Sequence, residues 1–284
     1  MYLEFYGLKA KPFGKTPDPD MLYLSRRHEE ALARMEQTVE DRELLLLTGE
    51  IGSGKTTLSR GLLDRLPDNF MPALIINPRL SPNQLLRTVA RRLGIEQPKY
   101  FKSDLIEQIF DALFKLYESG ICPVLIIDEA QLIPSRETFE EVRLLTNLQL
   151  DKENLMSVIL IGQPELNKRL EHPVYEPLRQ RIGIRYHLGA LDRPELGDYI
   201  DFRLKKAGRT TPLFTADAID RIWTYSAGIP RRINNICANA LIEGFARESK
   251  SIGEKIIENV LADLGLEPVV EEEKKKKPEV RRAG

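Results

Sequence analysis

The glycine-rich segment GEIGSGKT at positions 49–56 constrains the fold of this chain more than any other feature. An apolar run at 44–47 precedes it, and a helix-like stretch at 58–66 follows it. A strand, a glycine loop and a helix in this order are typical of a P-loop, whose backbone amides close on phosphate oxygens at the positive end of the helix dipole. The segment therefore predicts a nucleoside triphosphate site.

The side chains of this loop have distinct expected roles. Lys55 is predicted to reach the β- and γ-phosphates, and Thr56 is predicted to ligate Mg²⁺. The glycines remove side chains where the backbone must approach the phosphates. The residues predicted to hold the nucleotide are Gly49, Glu50, Ile51, Gly52, Ser53, Gly54, Lys55, Thr56 and Thr57.

A second segment, VLIIDEA at 124–130, ends an apolar strand with two adjacent carboxylates. Asp128 is expected to orient Mg²⁺ beside Thr56, and Glu129 to polarise the attacking water. An exposed acidic pair is the alternative interpretation, but the P-loop upstream favours the catalytic one. Together the segments predict hydrolysis of the triphosphate. A kinase acting on a small acceptor is the weaker alternative, because the sequence indicates no separate acceptor pocket.

The order of apolar runs predicts the fold class. Short apolar or β-branched runs at 44–47, 73–77, 124–128, 158–162 and 184–188 suit the strands of a buried parallel sheet, and helical patterns lie between them. This alternation predicts an α/β protein with a doubly wound, parallel five-stranded sheet. Beyond 192 only helical patterns follow, at 194–207, 216–226, 230–248 and 254–264, which predict a smaller all-helical lid domain.

These patterns predict four regions. Residues 1–35, rich in aromatic residues and proline, form an arm that packs on the nucleotide-binding core. The α/β domain occupies 36–192 and the helical lid 193–266. The charge blocks at 267–284 cannot bury apolar area, so a disordered tail is expected there.

Composition limits the binding partners and the cellular compartment expected for the protein. Lys and Arg total 42 against 43 Asp and Glu, so the net charge of −1 gives no overall attraction to nucleic acid or an anionic membrane. The two cysteines, Cys122 and Cys237, fit buried thiols in a reducing compartment. No apolar run approaches the ~20 residues of a membrane span, and the start lacks a signal-peptide layout. A cytoplasmic protein without a membrane span is expected.

Five segments carry a family resemblance: GEIGSGKT, VLIIDEA, VILIGQPEL at 158–166, SAGIPRRINNIC at 226–237 and YLEFYGLKAKPFGKTPDPDMLYLS at 2–25. In this order they resemble the AAA+ ATPases of the ExeA/GspA type, over nearly the whole chain to about residue 265. Related branches include MshM and, more distantly, TnsC and TniB. The resemblance implies an AAA+ module that uses ATP and Mg²⁺.

The resemblance also implies roles for further residues. Gln163 corresponds to the first sensor of the γ-phosphate, although a turn-forming glutamine before a proline has the same pattern. Arg179 and Arg181 correspond to the arginine-finger region; which of them acts is left open, and solvated surface arginines look identical. Arg231 corresponds to the second sensor on the lid, and Arg232 is its near alternative. An adenine pocket that includes Phe13, Leu24 and His28 is a weaker hypothesis, since such residues are more often core.

The resemblance implies a homo-oligomer, a ring or a filament, in which one subunit supplies its arginine to the next. An ExeA/GspA-like ATPase would support the assembly of secretion or pilus machinery. The chain shows neither the membrane segment nor the peptidoglycan-binding region common in that family, so contact with the inner membrane would require a partner. The alternative is a TnsC/TniB-like regulator that binds DNA, although the basic clusters at 87–92, 205–209 and 231–232 are typical of solvated helix faces.

Overall fold

The computed structural model describes residues 1–14, 18–150 and 153–270. The predicted tail from 271 onward lies outside the described residues. The chain divides into two compact units, and each is presented by itself. Of the described residues, 18–190 form the α/β unit, whereas 1–14 and 191–270 form the helical unit.

The helices and strands follow one another in the order that the sequence predicts. In chain order the strands are β1 (Leu44–Gly49), β2 (Phe70–Ile75), β3 (Cys122–Ile127), β4 (Gln149–Leu150), β5 (Glu153–Asn154), β6 (Ser157–Gly162) and β7 (Ile182–Leu188). The helices are α1 (Tyr2–Phe5), α2 (Arg26–Glu40), α3 (Lys55–Leu63), α4 (Pro82–Arg92), α5 (Lys102–Glu118), α6 (Arg136–Leu145), α7 (Pro164–Leu170), α8 (Glu176–Arg179), α9 (Arg193–Lys206), α10 (Ala216–Ser226), α11 (Pro230–Ala246) and α12 (Glu254–Asp263).

The main sheet has five parallel strands in the order β2-β3-β6-β1-β7, which confirms the predicted architecture. The side chains of β1 alternate between two cores. Leu44 and Leu46 face the core that α4, α5 and α6 complete, whereas Leu45 and Leu47 face the core that α2 and α3 complete. Both faces are thus covered, so the central strands are mostly apolar.

The strand β7 departs from the prediction of a fully buried run. Its residues alternate between buried and exposed because β7 is the edge of the sheet and pairs only with β1. In the sheet, β1 lies between β6 and β7. In a parallel sheet the loop that follows β1 lies at the same edge as the carboxyl end of the adjacent β6, which leads to Gln163, and that of β3, one strand further, which leads to the acidic pair. Open α/β sheets bind their ligands at this edge.

The structure divides the predicted arm at 1–35 between the two units. Residues 1–14 belong to the helical unit, while the stretch from 26 is α2, which packs on the sheet. The Tyr6 hydroxyl donates to the carbonyl of Ser249 at 3.1 Å, and Arg203 donates to the carbonyl of Pro12 at 2.7 Å. The ring of Phe13 packs edge-on against Phe214. The aromatic pattern in the sequence does not indicate which unit packs against this segment.

Helices α9 to α12 make up most of the helical unit, and α1 packs on α11. Among the residues that the structure describes, no helix combines the length and the apolar character that crossing a membrane requires.

Candidate nucleotide-binding site

The loop between β1 and α3 has the backbone shape of a phosphate cradle. Gly54 is the N-cap of α3 and adopts φ +105°, a conformation that strains any residue with a Cβ. A Cβ at this position would also lie 3.0 Å from Nε2 of His28. Glycine is therefore required where the loop turns into the helix. The first backbone N–H groups of a helix have no partner within the helix, so those of α3 can donate to an anion.

Lys55 is the first residue of α3 and is buried. Its Nζ donates to the carbonyl of Gly49 at 2.6 Å and to that of Glu50 at 2.9 Å. The ammonium group is thus held within the curve of the loop. In this position it can neutralise phosphate charge, as the sequence predicts.

The other residues of the predicted binding segment range from exposed to buried. Glu50 and Ile51 lie on the outer side of the loop, where 56% of Ile51 is exposed. Ser53 is buried, and its hydroxyl makes no hydrogen bond to any described residue. Thr57 is half-buried in the first turn of α3. Contacts of these side chains with a nucleotide remain predictions.

The structure joins the two predicted Mg²⁺ ligands. Asp128 follows the last residue of β3 and is 3% exposed. Its Oδ2 accepts a hydrogen bond from the Thr56 hydroxyl at 2.8 Å, and its Oδ1 accepts one from the backbone N–H of Glu129 at 2.8 Å. Burial raises the pKa of the Asp128 carboxyl above its ordinary value, and the bond from Thr56 opposes that rise. A hydroxyl and a carboxylate oxygen placed together fit a hard cation such as Mg²⁺.

Glu129 has an uncommon backbone conformation, with φ +54° and ψ +39°. Such left-handed geometry in a residue other than glycine is sparsely populated and tends to occur at functional sites. Its Oε2 accepts hydrogen bonds from Nε2 of Gln163 at 3.2 Å and from Nε2 of Gln131. The structure therefore brings the predicted sensor to the predicted base.

Gln131 is a contact that sequence reasoning missed. The available signal was its position two residues after Glu129, in the run DEAQ. That spacing alone does not show that the side chain turns back toward the carboxylate.

His28 contacts the loop backbone directly. It is buried, and its Nε2 lies 3.0 Å from the carbonyl oxygen of Ser53. Because a carbonyl only accepts, Nε2 must carry the proton, and Nδ1 then accepts from the Ser25 hydroxyl at 2.7 Å. Ser25 also caps α2. The structure thus ties His28 to the backbone of the loop; its predicted role at the adenine stays a prediction.

The two candidate finger arginines have different surroundings. Arg179 forms an ion pair with Glu176 and donates to the carbonyl of Glu171 at 3.1 Å. Arg181 is exposed immediately before β7, and its guanidinium forms no hydrogen bond or ion pair with another residue in the described part of the chain. An arginine that acts on a neighbouring subunit must be accessible, so the surroundings favour Arg181.

Three of the predicted residues lie in the helical unit. Arg231 and Arg232 are exposed in the first turn of α11, after Pro230. Phe13 also belongs to this unit, whereas Leu24 and His28 belong to the α/β unit. The sensor role of Arg231 therefore stays a prediction.

Comparison with known proteins agrees with this geometry. Residues 37–170 match the family model described as AAA domain. General secretion pathway protein A of Aeromonas hydrophila is 43% identical over 255 residues, which cover 89% of this chain and 46% of that protein. The chain therefore spans about half the length of this relative.

Solved structures show the same fold at low sequence identity. The Aeropyrum pernix ORC2 protein, in ADPNP–ADP complexes, aligns with a TM-score of 0.67 at 17% identity and covers 90% of this chain and 71% of its own. The Thermotoga maritima RuvB Holliday junction branch migration motor aligns with a TM-score of 0.57 at 19% identity and covers 83% and 69%.

The parallel sheet and the match of residues 37–170 to the AAA domain model define the fold as a P-loop NTPase module of the AAA+ class. Within that class the chain is similar to general secretion pathway protein A, of which it covers 46%.

Proposed function

We propose that this protein binds ATP with Mg²⁺ and hydrolyses it in a homo-oligomer. The observation that carries the proposal is the bond between Thr56 and Asp128, since it joins the phosphate loop to the strand end that bears Glu129. This bond supports the proposal because four groups suited to phosphoryl transfer to water then lie at one edge of the sheet: the loop amides, Lys55, the oxygen pair proposed to hold the metal and the carboxylate proposed as the base.

The binding step depends on the loop and its lysine. Backbone amides at the start of α3 donate to phosphate oxygens, and the helix dipole adds to this attraction. Lys55 supplies a positive charge beside the β- and γ-phosphates. Thr56 and Asp128 would hold Mg²⁺, which neutralises charge on the β- and γ-phosphate oxygens when bound.

In the hydrolysis step the carboxylate of Glu129 aligns a water and accepts its proton. The water oxygen attacks the γ-phosphorus, the bond to the β,γ-bridging oxygen breaks, and ADP leaves with that electron pair. Gln163, which donates to the same carboxylate, would sense the γ-phosphate next to it.

The exposed position of Arg181 supports the proposed oligomer. An exposed guanidinium next to the sheet edge can reach the γ-phosphate on a second copy of the chain and stabilise the transition state there. Hydrolysis should then require assembly, whether into a ring or a filament. The helical unit, with Arg231, would respond to the bound nucleotide.

For the cellular role, we infer that the ATPase supports the assembly of secretion or pilus machinery, in the cytoplasm or at the inner membrane through a partner protein. The support is the 43% identity to general secretion pathway protein A. The solved structures of ORC proteins bound to DNA and of the Holliday junction branch migration motor share at most 20% identity with this chain, so they bear on the fold alone.

The test is phosphate release from ATP and Mg²⁺ over a series of protein concentrations. Specific activity should rise with concentration in the wild type. Glu129→Gln should bind ATP, hydrolyse it at least ~100-fold more slowly and accumulate as the oligomer. Wild-type turnover by Glu129→Gln, or no nucleotide binding by the wild type, would refute the proposal.

DNA binding measured over a series of salt concentrations distinguishes the secretion or pilus role from the alternative role as a DNA-binding regulator. If the protein acts on DNA, ATP-dependent binding should be tight at low salt and weaken steeply as salt rises, because bound phosphates release counterions. The secretion role predicts no such binding even at low salt.

A further inference from the structure

We propose that Gln131 is a positioning residue for hydrolysis: it holds one oxygen of the Glu129 carboxylate and leaves the other to face the attacking water. This inference rests on the proposed function, since it assumes that Glu129 accepts the proton of that water.

The hydrogen bonds of Glu129 are unevenly shared between its two oxygens. Oε2 accepts from Nε2 of Gln131 at 2.5 Å and from Nε2 of Gln163 at 3.2 Å. Oε1 accepts no hydrogen bond from any residue within the described ranges. Two donors on one oxygen fix the rotation of the carboxylate, so Oε1 is the oxygen that can align a water.

Gln131 is itself fixed at both ends of its amide group. While Nε2 donates to Glu129, its Oε1 accepts from the backbone N–H of Gln163 at 3.1 Å. Only one orientation of the amide satisfies both partners, because the carboxylate of Glu129 requires a donor and the N–H of Gln163 requires an acceptor. Gln131 is therefore a rigid bridge between the end of β3 and the residue that caps α7.

The space for this bridge depends on Gly162. A Cβ at that position would lie 3.0 Å from Oε1 of Gln131 and 2.6 Å from Cδ2 of Leu166. The last residue of β6 must therefore lack a side chain for Gln131 to reach the amide of Gln163. The absence of a side chain at Gly162 is thus a second observation, separate from the hydrogen bonds, that supports the contact between Gln131 and Gln163.

The bridge also explains how Glu129 is kept in its left-handed conformation. A backbone of this kind persists only where the surroundings determine it strongly. The 2.8 Å bond from the Glu129 N–H to Asp128 fixes the backbone, and the bond from Gln131 fixes the end of the side chain. Without Gln131, Gln163 alone would hold the carboxylate through its longer bond.

Gln131→Met tests the hydrogen bonds while it preserves the length and most of the packing of the side chain. We expect kcat to fall about tenfold, as typical of lost partners that orient an active group. The dissociation constant for ADP with Mg²⁺ should stay within twofold of wild type, because the phosphate loop is untouched. The thermal unfolding midpoint should not change. The matched control is Gln37→Met on α2, where a glutamine also donates to a carboxylate, that of Asp41.

A double substitution separates positioning from a merely structural role. If Gln131 acts through Glu129, Gln131→Met should cause no further loss of turnover in the Glu129→Gln protein. The same fractional loss in both backgrounds, or wild-type kcat in Gln131→Met alone, would overturn the inference. Failure of the proposed function is recognised separately: the wild type would then release no phosphate, or Glu129→Gln would turn over at the wild-type rate.

Discussion

The hydroxyl of Thr56 donates to Oδ2 of Asp128 across 2.8 Å, between residues 72 positions apart in sequence. This bond joins the first turn of α3 to the end of β3. It places a buried carboxylate next to the loop that is predicted to hold the phosphates, so the effects of substitutions here should depend on Mg²⁺.

Replacing Thr56 by alanine should raise the Mg²⁺ concentration for half-maximal activity roughly tenfold, because one oxygen ligand and a donor to Asp128 are lost. Thr56→Ser keeps the hydroxyl and should stay near wild type. A Mg²⁺ titration of phosphate release, with EDTA to establish the metal-free rate, measures both. Equal Mg²⁺ requirements in Thr56→Ala and wild type would contradict the assignment.

Replacing Lys55 by alanine should weaken ATP binding by at least ~100-fold, about 3 kcal/mol, because charge-assisted hydrogen bonds to phosphate disappear. Titration calorimetry with ATP and Mg²⁺ gives the affinity. Lys99→Ala, at an exposed site of the same unit, is the control and should bind normally. Since Lys55 also bonds to Gly49 and Glu50, circular dichroism should accompany the titration to show that the loop variant is folded.

Replacing Arg181 by alanine should lower kcat at least ~100-fold without weakening ATP binding, because the lost charge acts only on the transition state. Arg179→Ala should have a much smaller effect on turnover, since Arg179 is paired with Glu176 in its own chain. Mixing Arg181→Ala with Lys55→Ala should restore part of the activity, because the first subunit binds ATP and the second supplies an intact arginine. If the mixture stays inactive, the arginine does not act between subunits.

Replacing Tyr6 by alanine should destabilise the helical unit by ~3–5 kcal/mol, since the ring is fully buried there. Tyr6→Phe removes only the hydrogen bond to Ser249 and should cost about 1 kcal/mol. Tyr100→Ala, at a ring that is 73% exposed, should be neutral. Urea unfolding followed by circular dichroism measures all three. Equal stability of Tyr6→Ala and wild type would disprove the packing of residues 1–14.

The two thiols should react slowly in the native protein. Cys122 and Cys237 are both buried, and burial raises the pKa of each thiol. At pH 8 the reactive thiolate is therefore scarcer than in an exposed cysteine, in addition to being inaccessible. Ellman's reagent should detect both thiols only after denaturation in guanidinium chloride. Rapid modification of either thiol under native conditions would contradict their burial.

The sequence predicted the sheet and the phosphate loop because both depend on local patterns. The glycine spacing determines the loop, and continuous apolar runs indicate strands that are covered on two faces. It could not predict the bridge through Gln131, because that contact requires β3 and β6 to be neighbours and Gly162 to leave room. It also could not separate Arg179 from Arg181, since only the fold shows that Glu176 pairs with one of them.

The first fourteen residues form part of the helical unit, although the whole α/β unit lies between them and the other residues of that unit in sequence. A boundary drawn from sequence order alone would therefore split one folding unit into two pieces. Expression of residues from 191 onward would leave apolar surface on α11 without the cover that α1 provides. A dissection of this protein should keep both terminal segments together, for example by a circular permutation that joins them.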